Sequence, residues 1–254
     1  MPDPTAAPTL AEARKVVGWG LVFWGAAQLA TAVFAGNATA LVAVQAALAE
    51  WGAGRVGLAW SDPLAPVPTW RDLARRAGKG AALGGGAAAL VVLAALALHA
   101  ATLAAPSPAA GPLAVGLVIA LLTAVRDELF LRGLVLRATA ALLPSGLALA
   151  ACGAAAAAAR WGADGVLGLA VAVEAVRGVA MGAIWMRDRG AWMAVGASAA
   201  WTWALGSLVR GGLLDVRFAT EGDAGLPALL VLAVGAVAAS AWALARAAGK
   251  AGTD

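Results

Sequence analysis

The stretch Asp127-Glu128-Leu129-Phe130-Leu131-Arg132 sets two adjacent carboxylates, and a guanidinium four residues beyond the second, inside an otherwise apolar run. Neighbouring carboxylates are the raw material of acid–base chemistry. Where their surroundings differ, one can take a proton from water while the other stays ionised and structural. On an α-helix Glu128 and Arg132 share a face and can pair. Asp127 is turned about 100° from Glu128 and about 140° from Arg132. The spacing therefore predicts one acid held by arginine and a second left free to face a neighbouring helix or a water-filled cavity. It equally fits a helix end whose charged side chains reach out to lipid headgroups.

Two further ionisable residues, Glu174 and Arg177, lie three apart in a later apolar run. They can pair with each other, or Glu174 can meet Arg160 across a helix bundle. His99 is the only histidine and Cys152 the only cysteine. No intrachain disulfide is possible, and one chain cannot build a conventional zinc site of His and Cys ligands. No metal or other cofactor is expected.

The elements that carry these residues follow from composition. Of 254 residues, 62% are hydrophobic and 13% charged, with a mean hydropathy of +0.84. A soluble domain carries about 25% charged and about 45–50% apolar residues. The excess apolar surface has no place in one water-solvated core of this size, and lipid is the solvent that removes the conflict. The net charge of +4 does not imply nucleic acid, because the basic residues cluster between apolar runs as the positive-inside rule describes. The partners expected are the lipid bilayer and a membrane peptide or protein. Richness in alanine, glycine and arginine points to a GC-rich genome, and the expected location is the inner (plasma) membrane of a bacterial cell.

Runs of about 20 apolar residues mark the spans. They are Val16–Gly36; roughly Ala38–Leu58, interrupted by Glu50 and Arg55; Gly80–Ala105; Leu113 to about Arg137; a run from Pro144 to near Ala159; roughly Gly165–Met186; roughly Ala191–Val209; and roughly Leu226–Arg246. The first run is longer than a usual signal core and reads as a retained helix. If Arg14 and Lys15 are cytoplasmic and the spans alternate, the Arg71–Lys79 cluster, Arg137, Arg187 with Arg189, and Arg246 with Lys250 all fall inside. The connections near Asn37 and over 106–112, which hold no Lys or Arg, fall outside. So does the loop with Arg210, Asp215, Arg217, Glu221 and Asp223. The fold class expected is an all-α integral membrane protein, a bundle of about eight transmembrane helices with both termini cytoplasmic. Its organisation is a tail over 1–15, N-terminal helices over 16–110 with a basic loop at 61–79, a core over 111–210, a loop and last helix over 211–246, and a tail over 247–254. The eleven tryptophans mostly fall near span ends, where they would anchor at the interface. Gly84-Gly85-Gly86 and Ala154–Ala159 would allow close helix contact.

Asp127-Glu128-Leu129-Phe130-Leu131-Arg132-Gly133 resembles the Glu-Glu-x-x-x-Arg motif of the CPBP family. These are the CAAX-protease and bacteriocin-processing membrane proteins, which include the Rce1-type prenyl-protein endopeptidases. The segment from Arg187 to Trp203, with Gly190-Ala191-Trp192 at its turn, resembles that family's third motif, in which a turn leads into a helix bearing His-x-x-x-Asn. The resemblance covers about residues 111–210 and implies an eight-helix bundle that hydrolyses peptides within the membrane. In the family the first Glu and a motif-two His activate water, the second Glu and the Arg shape the site, and the motif-three His and Asn hold the oxyanion. Carried over, the catalytic positions are Asp127, Glu128 and Arg132. Asp127 stands for the first Glu, one methylene shorter. Arg160 stands at the motif-two His, in Ala156-Ala157-Ala158-Ala159-Arg160, and an arginine cannot accept a proton at neutral pH. Ser198 stands at the motif-three His and Thr202 at the Asn. Their hydroxyls can donate to an oxyanion but do not replace imidazole. His99, near the outer end of the third span, reads as a packing or interfacial residue on the side opposite Asp127.

Three functions are compatible with this pattern. The favoured one is a degenerate family member that binds a membrane peptide or partner in a cavity lined by Asp127, Glu128, Arg132, Arg160, Ser198 and Thr202. The alternative is an active intramembrane endopeptidase with Asp127 as general base. The third is a transporter that uses the same charges to coordinate solute.

Overall fold

The computed structural model describes residues 9–61, 67–105, 110–139, 142–165, 167–209, 213–218 and 225–251. The helices are α1 (Leu10–Val33), α2 (Ala38–Arg55), α3 (Trp70–Ala97), α4 (Ala110–Glu128), α5 (Leu134–Thr139), α6 (Ser145–Asp164), α7 (Leu169–Asp188), α8 (Trp192–Trp203) and α9 (Gly225–Ala251). A π-helical turn, Leu129–Gly133, joins α4 to α5 in one rod, and a second, Ala204–Leu208, prolongs α8. The protein is an all-α bundle of membrane type. Four helices, α1, α3, α7 and α9 up to Ala245, are long and apolar enough to cross a bilayer by length and composition.

The exposed surface of these rods explains their solvent. On α1 the side chains of Leu29 and Val33 are 72% and 74% exposed, and on α9 Val234 and Val237 are 73% and 71% exposed. A helix that is apolar on its outer as well as its inner face is solvated by lipid.

Helix starts follow capping chemistry. Thr9 with Glu12 and Thr69 with Asp72 each form a reciprocal capping box, which satisfies two otherwise orphaned N–H groups. The second box corrects one expectation. The segment before Gly80 is not all loop: α3 begins at Trp70, and Arg71, Arg75, Arg76 and Lys79 ride on its first turns. The third run also stops short of Ala105. At the end of α3 the Ala100 N–H donates to the Ala95 carbonyl and the His99 N–H to that of Leu96, with His99 at φ 56°. This is a Schellman stop, and the lone histidine occupies its left-handed position. Next come β1 (Ala101–Ala104) and its antiparallel partner β2 (Asp215–Phe218), paired with Ala101 opposite Phe218 and Ala104 opposite Asp215. The sequence reading had helix end and loop there. Pro63, Pro66, Arg210, Glu221 and Asp223 lie outside the described residues, as do 1–8 and 252–254.

α8 is the hub. Met193 through Ala199 are all buried, enclosed by α3, α4 and α7. The approach of α3 depends on missing side chains: a Cβ at Gly80 would overlap the Met193 carbonyl, one at Gly84 that of Ala197, and one at Gly196 that of Ala77. α6 and α7 mesh in the same way, Gly178 lying against the Cys152 carbonyl and Gly153 against Ala175 and Val179. Without hydrophobic driving force between helices in lipid, such close contact supplies much of the association.

Gly84→Ala is therefore expected to lower the detergent-solubilised melting temperature by several degrees, since overpacking costs about 1–3 kcal/mol. Gly85→Ala, whose Cβ meets nothing within 4 Å, should leave it unchanged or raise it. Equal melting of the two variants would refute the close α3–α8 contact.

Candidate functional site

The acidic pair sits where α4 enters its π-helical turn, facing α7 and α8. Glu128 and Arg132 are completely buried, and Asp127 is 8% exposed. One Glu128 oxygen, Oε1, accepts a hydrogen bond from the Ser198 hydroxyl on α8 and lies 3.8 Å from Arg132 Nη1. The other accepts from Trp185 Nε1 on α7 at 3.0 Å. Arg132 Nη1 also donates to the Asp127 carbonyl at 3.3 Å. Its Nε and Nη2 have no hydrogen-bond partner among the described residues, which makes Arg132 the least satisfied member of the group.

Asp127 turns away from this pair, but it is not free. Arg126 folds across onto it, with Nε and Nη2 each 2.7 Å from Oδ1. Arg177 reaches from α7 to 3.7 Å from Oδ2, while its Nε donates to Glu174 at 2.9 Å. Arg126 also donates to Gln45 Oε1 on α2 at 2.7 Å. The Gln45 amide in turn donates to the Ala27 carbonyl and the Thr31 hydroxyl on α1, at 3.1 and 3.2 Å. Three carboxylates (Asp127, Glu128, Glu174) thus meet three guanidiniums (Arg126, Arg132, Arg177) in a neutral cluster. A lone charge at the bilayer centre would cost about 2.5–3.5 kcal/mol on insertion scales, so mutual pairing is what permits each to be there.

The expectation of one held and one free acid is corrected here: both are held. Arg126, the neighbour of Asp127 on α4, makes the closest contacts, and Arg177 on α7 adds a partner that no spacing argument along α4 could supply. Of the other motif positions, Ser198 joins Glu128 directly. Thr202, one helical turn later on α8, is half-buried. Arg160 is exposed on α6 rather than buried among these residues. Glu174 and Arg177 pair with each other. His99 is exposed, and lies fifteen residues along α3 from Gly84, the residue that abuts Ser198's neighbour Ala197. That spacing amounts to about 22 Å along the helix. Two members went unnoticed in the sequence. Gln45 was detectable as the one polar side chain between Thr39 and Glu50. Trp185 was taken as an interfacial anchor, but it and Trp201 are each only 6% exposed.

Residues 109–204 match the family model described as type II CAAX prenyl endopeptidase Rce1-like. The resemblance read from the two motifs is therefore borne out over that segment, which runs from the start of α4 to the end of α8. Neither the curated proteins nor the solved structures yield a match to the chain. All six charged members of the cluster lie within the Rce1-like segment; Gln45 lies outside it. The cluster's carboxylates face arginines, and among the described residues no group of three His, Cys, Asp or Glu side chains is placed to hold a metal ion.

Removing one partner from a buried pair costs about 3–5 kcal/mol, whereas replacing both by apolar groups is often neutral. Arg132→Met and Glu128→Leu should each lower the melting temperature strongly. The double variant should melt above the worse single variant. Additive losses would show that the two do not act as a pair.

Proposed function

We propose that this chain is an Rce1-like membrane protein that no longer cleaves peptides and acts by binding a membrane peptide or partner protein. The match over residues 109–204 supports an intramembrane function of the CAAX-protease type. The loss of chemistry is argued from one observation: both oxygens of Asp127 face guanidiniums, and both oxygens of Glu128 are hydrogen-bonded. A general base must aim a lone pair at the water or hydroxyl it deprotonates. Here arginine, tryptophan and serine take up much of that capacity, and the oxygen least engaged is Asp127 Oδ2, which Arg177 approaches to 3.7 Å.

The Ser198 hydroxyl is committed in the same way. It carries a single hydrogen and gives it to Glu128, so it has none for an oxyanion. Imidazole does not repair the deficit, because the only histidine caps α3. General-base help is worth about 10²–10⁴-fold and one oxyanion donor about 10²–10³-fold. With both missing, turnover falls to background. We place the chain in the inner membrane with both termini cytoplasmic, a reading supported by the basic first turns of α3 and by Arg187 and Arg189 at the end of α7.

The test is cleavage of a farnesylated CAAX-type peptide by purified protein in liposomes. Wild type and Asp127→Ala are both expected to give only background hydrolysis, while fluorescence anisotropy detects peptide binding to wild type. Cleavage by wild type that Asp127→Ala abolishes would overturn the proposal and restore the active endopeptidase.

A further inference from the structure

A groove of about 890 Å³ opens sideways between α3 and α9, with α7 and α8 as its floor. Along α3 it runs from Lys79 to Leu90, and along α9 from Trp242 back to Val231. Eleven residues at 1.5 Å each make it about 16 Å long on either wall. One leaflet of a bilayer whose hydrocarbon core is about 30 Å thick has nearly that depth.

The two ends differ in chemistry. Lys79 and Trp242 mark one end, where Arg187 stacks on Trp242 with its guanidinium carbon 4.2 Å from the ring centroid. Arg76, one turn before Lys79, pairs with Asp188 at 3.6 Å. Lys79 is exposed and has no carboxylate partner among the described residues. The other end, near Leu90 and Val231, is lined by apolar side chains alone. A tryptophan and basic residues at one end of an apolar groove are the signature of the headgroup level.

We infer that this groove holds one acyl chain of an anionic phospholipid, with its phosphate at Lys79. The apolar walls favour a chain without hydrogen-bonding groups. A peptide backbone laid there would leave N–H and C=O groups unsatisfied. Charge complementarity at the mouth selects an anionic over a zwitterionic headgroup, as basic residues beside a membrane surface do. The groove glycines also separate into two roles. Gly84 is needed for contact with Ala197, whereas a Cβ at Gly86 or Gly235 would meet nothing within 4 Å. These two keep space open rather than bring helices together.

That openness supplies the test. The protein is reconstituted with phosphatidylglycerol or phosphatidylcholine and examined by native mass spectrometry and thermal melting. Wild type should retain one phosphatidylglycerol and melt several degrees higher with it than with phosphatidylcholine. Gly235→Phe, whose Cβ meets nothing within 4 Å and whose ring enters the groove, should lose the retained lipid and the shift while melting normally in detergent alone. Lys79→Gln should reduce the preference for phosphatidylglycerol about fivefold, the effect of one lysine at an anionic surface. Equal retention of both lipids would overturn the inference, as would phosphatidylglycerol retained by Gly235→Phe. Displacement of the lipid by a farnesylated peptide would assign the groove to that peptide instead. None of these readouts depends on proteolysis, so the outcome is separable from that of the cleavage assay.

Discussion

A carboxylate carried into a lipid-solvated bundle has to be neutralised where it stands, and Glu128 meets that demand with partners from α7, α8 and its own rod. The requirement reaches outward from there. Arg132 balances Glu128, Arg126 and Arg177 enclose Asp127, and Glu174 offsets Arg177. Gln45 ties Arg126 to backbone and hydroxyl groups on α1. Five helices and the π-helical turn are thereby fixed in mutual register by groups that would each be costly alone. The cluster orients the bundle more than it stabilises it, because a buried ion pair recovers in Coulomb attraction little more than its desolvation cost.

Such a cluster forms only if the helices come close, and the small residues supply that condition. Gly80, Gly84 and Gly196 let α3 and α8 meet backbone to backbone. This carries Ser198 inward to Glu128. Gly153 and Gly178 do the same for α6 and α7, the helix that brings Trp185 and Arg177. Apolar side chains are in surplus throughout the chain and cannot specify one packing in lipid. Specificity comes instead from two scarce features: where side chains are missing and where charges must meet.

The division between what could be read in advance and what could not follows the same physics. The membrane class was legible, because hydrophobic length acts locally and lipid imposes it on each helix separately. The Glu128–Arg132 pair was legible from i,i+4 spacing, and the family resemblance from two short motifs. The fate of Asp127 was not, since its second arginine comes from fifty residues downstream on α7. The start of α3 was written in Thr69 and Asp72 but overshadowed by the prolines and basic residues around it. The end of α3 was hidden because histidine rarely takes the left-handed position that glycine usually fills. β1 and β2 are each too short to show alternation by themselves, and they exist through their pairing.

The same satisfaction that lets the acids reside in the bundle underlies the proposed loss of catalysis. Catalytic groups work because some part of their bonding capacity is reserved for substrate, and that reserve has to be protected by the surrounding structure. On the proposed loss of catalysis, that reserve is taken up from within the bundle. Asp127 lies between two arginines, and Ser198, standing where the family resemblance places an imidazole, closes onto Glu128. A serine hydroxyl is shorter than an imidazole and carries no second nitrogen to pass a proton onward. Through Glu128, Ser198 and Trp185 tie α8 and α7 to α4.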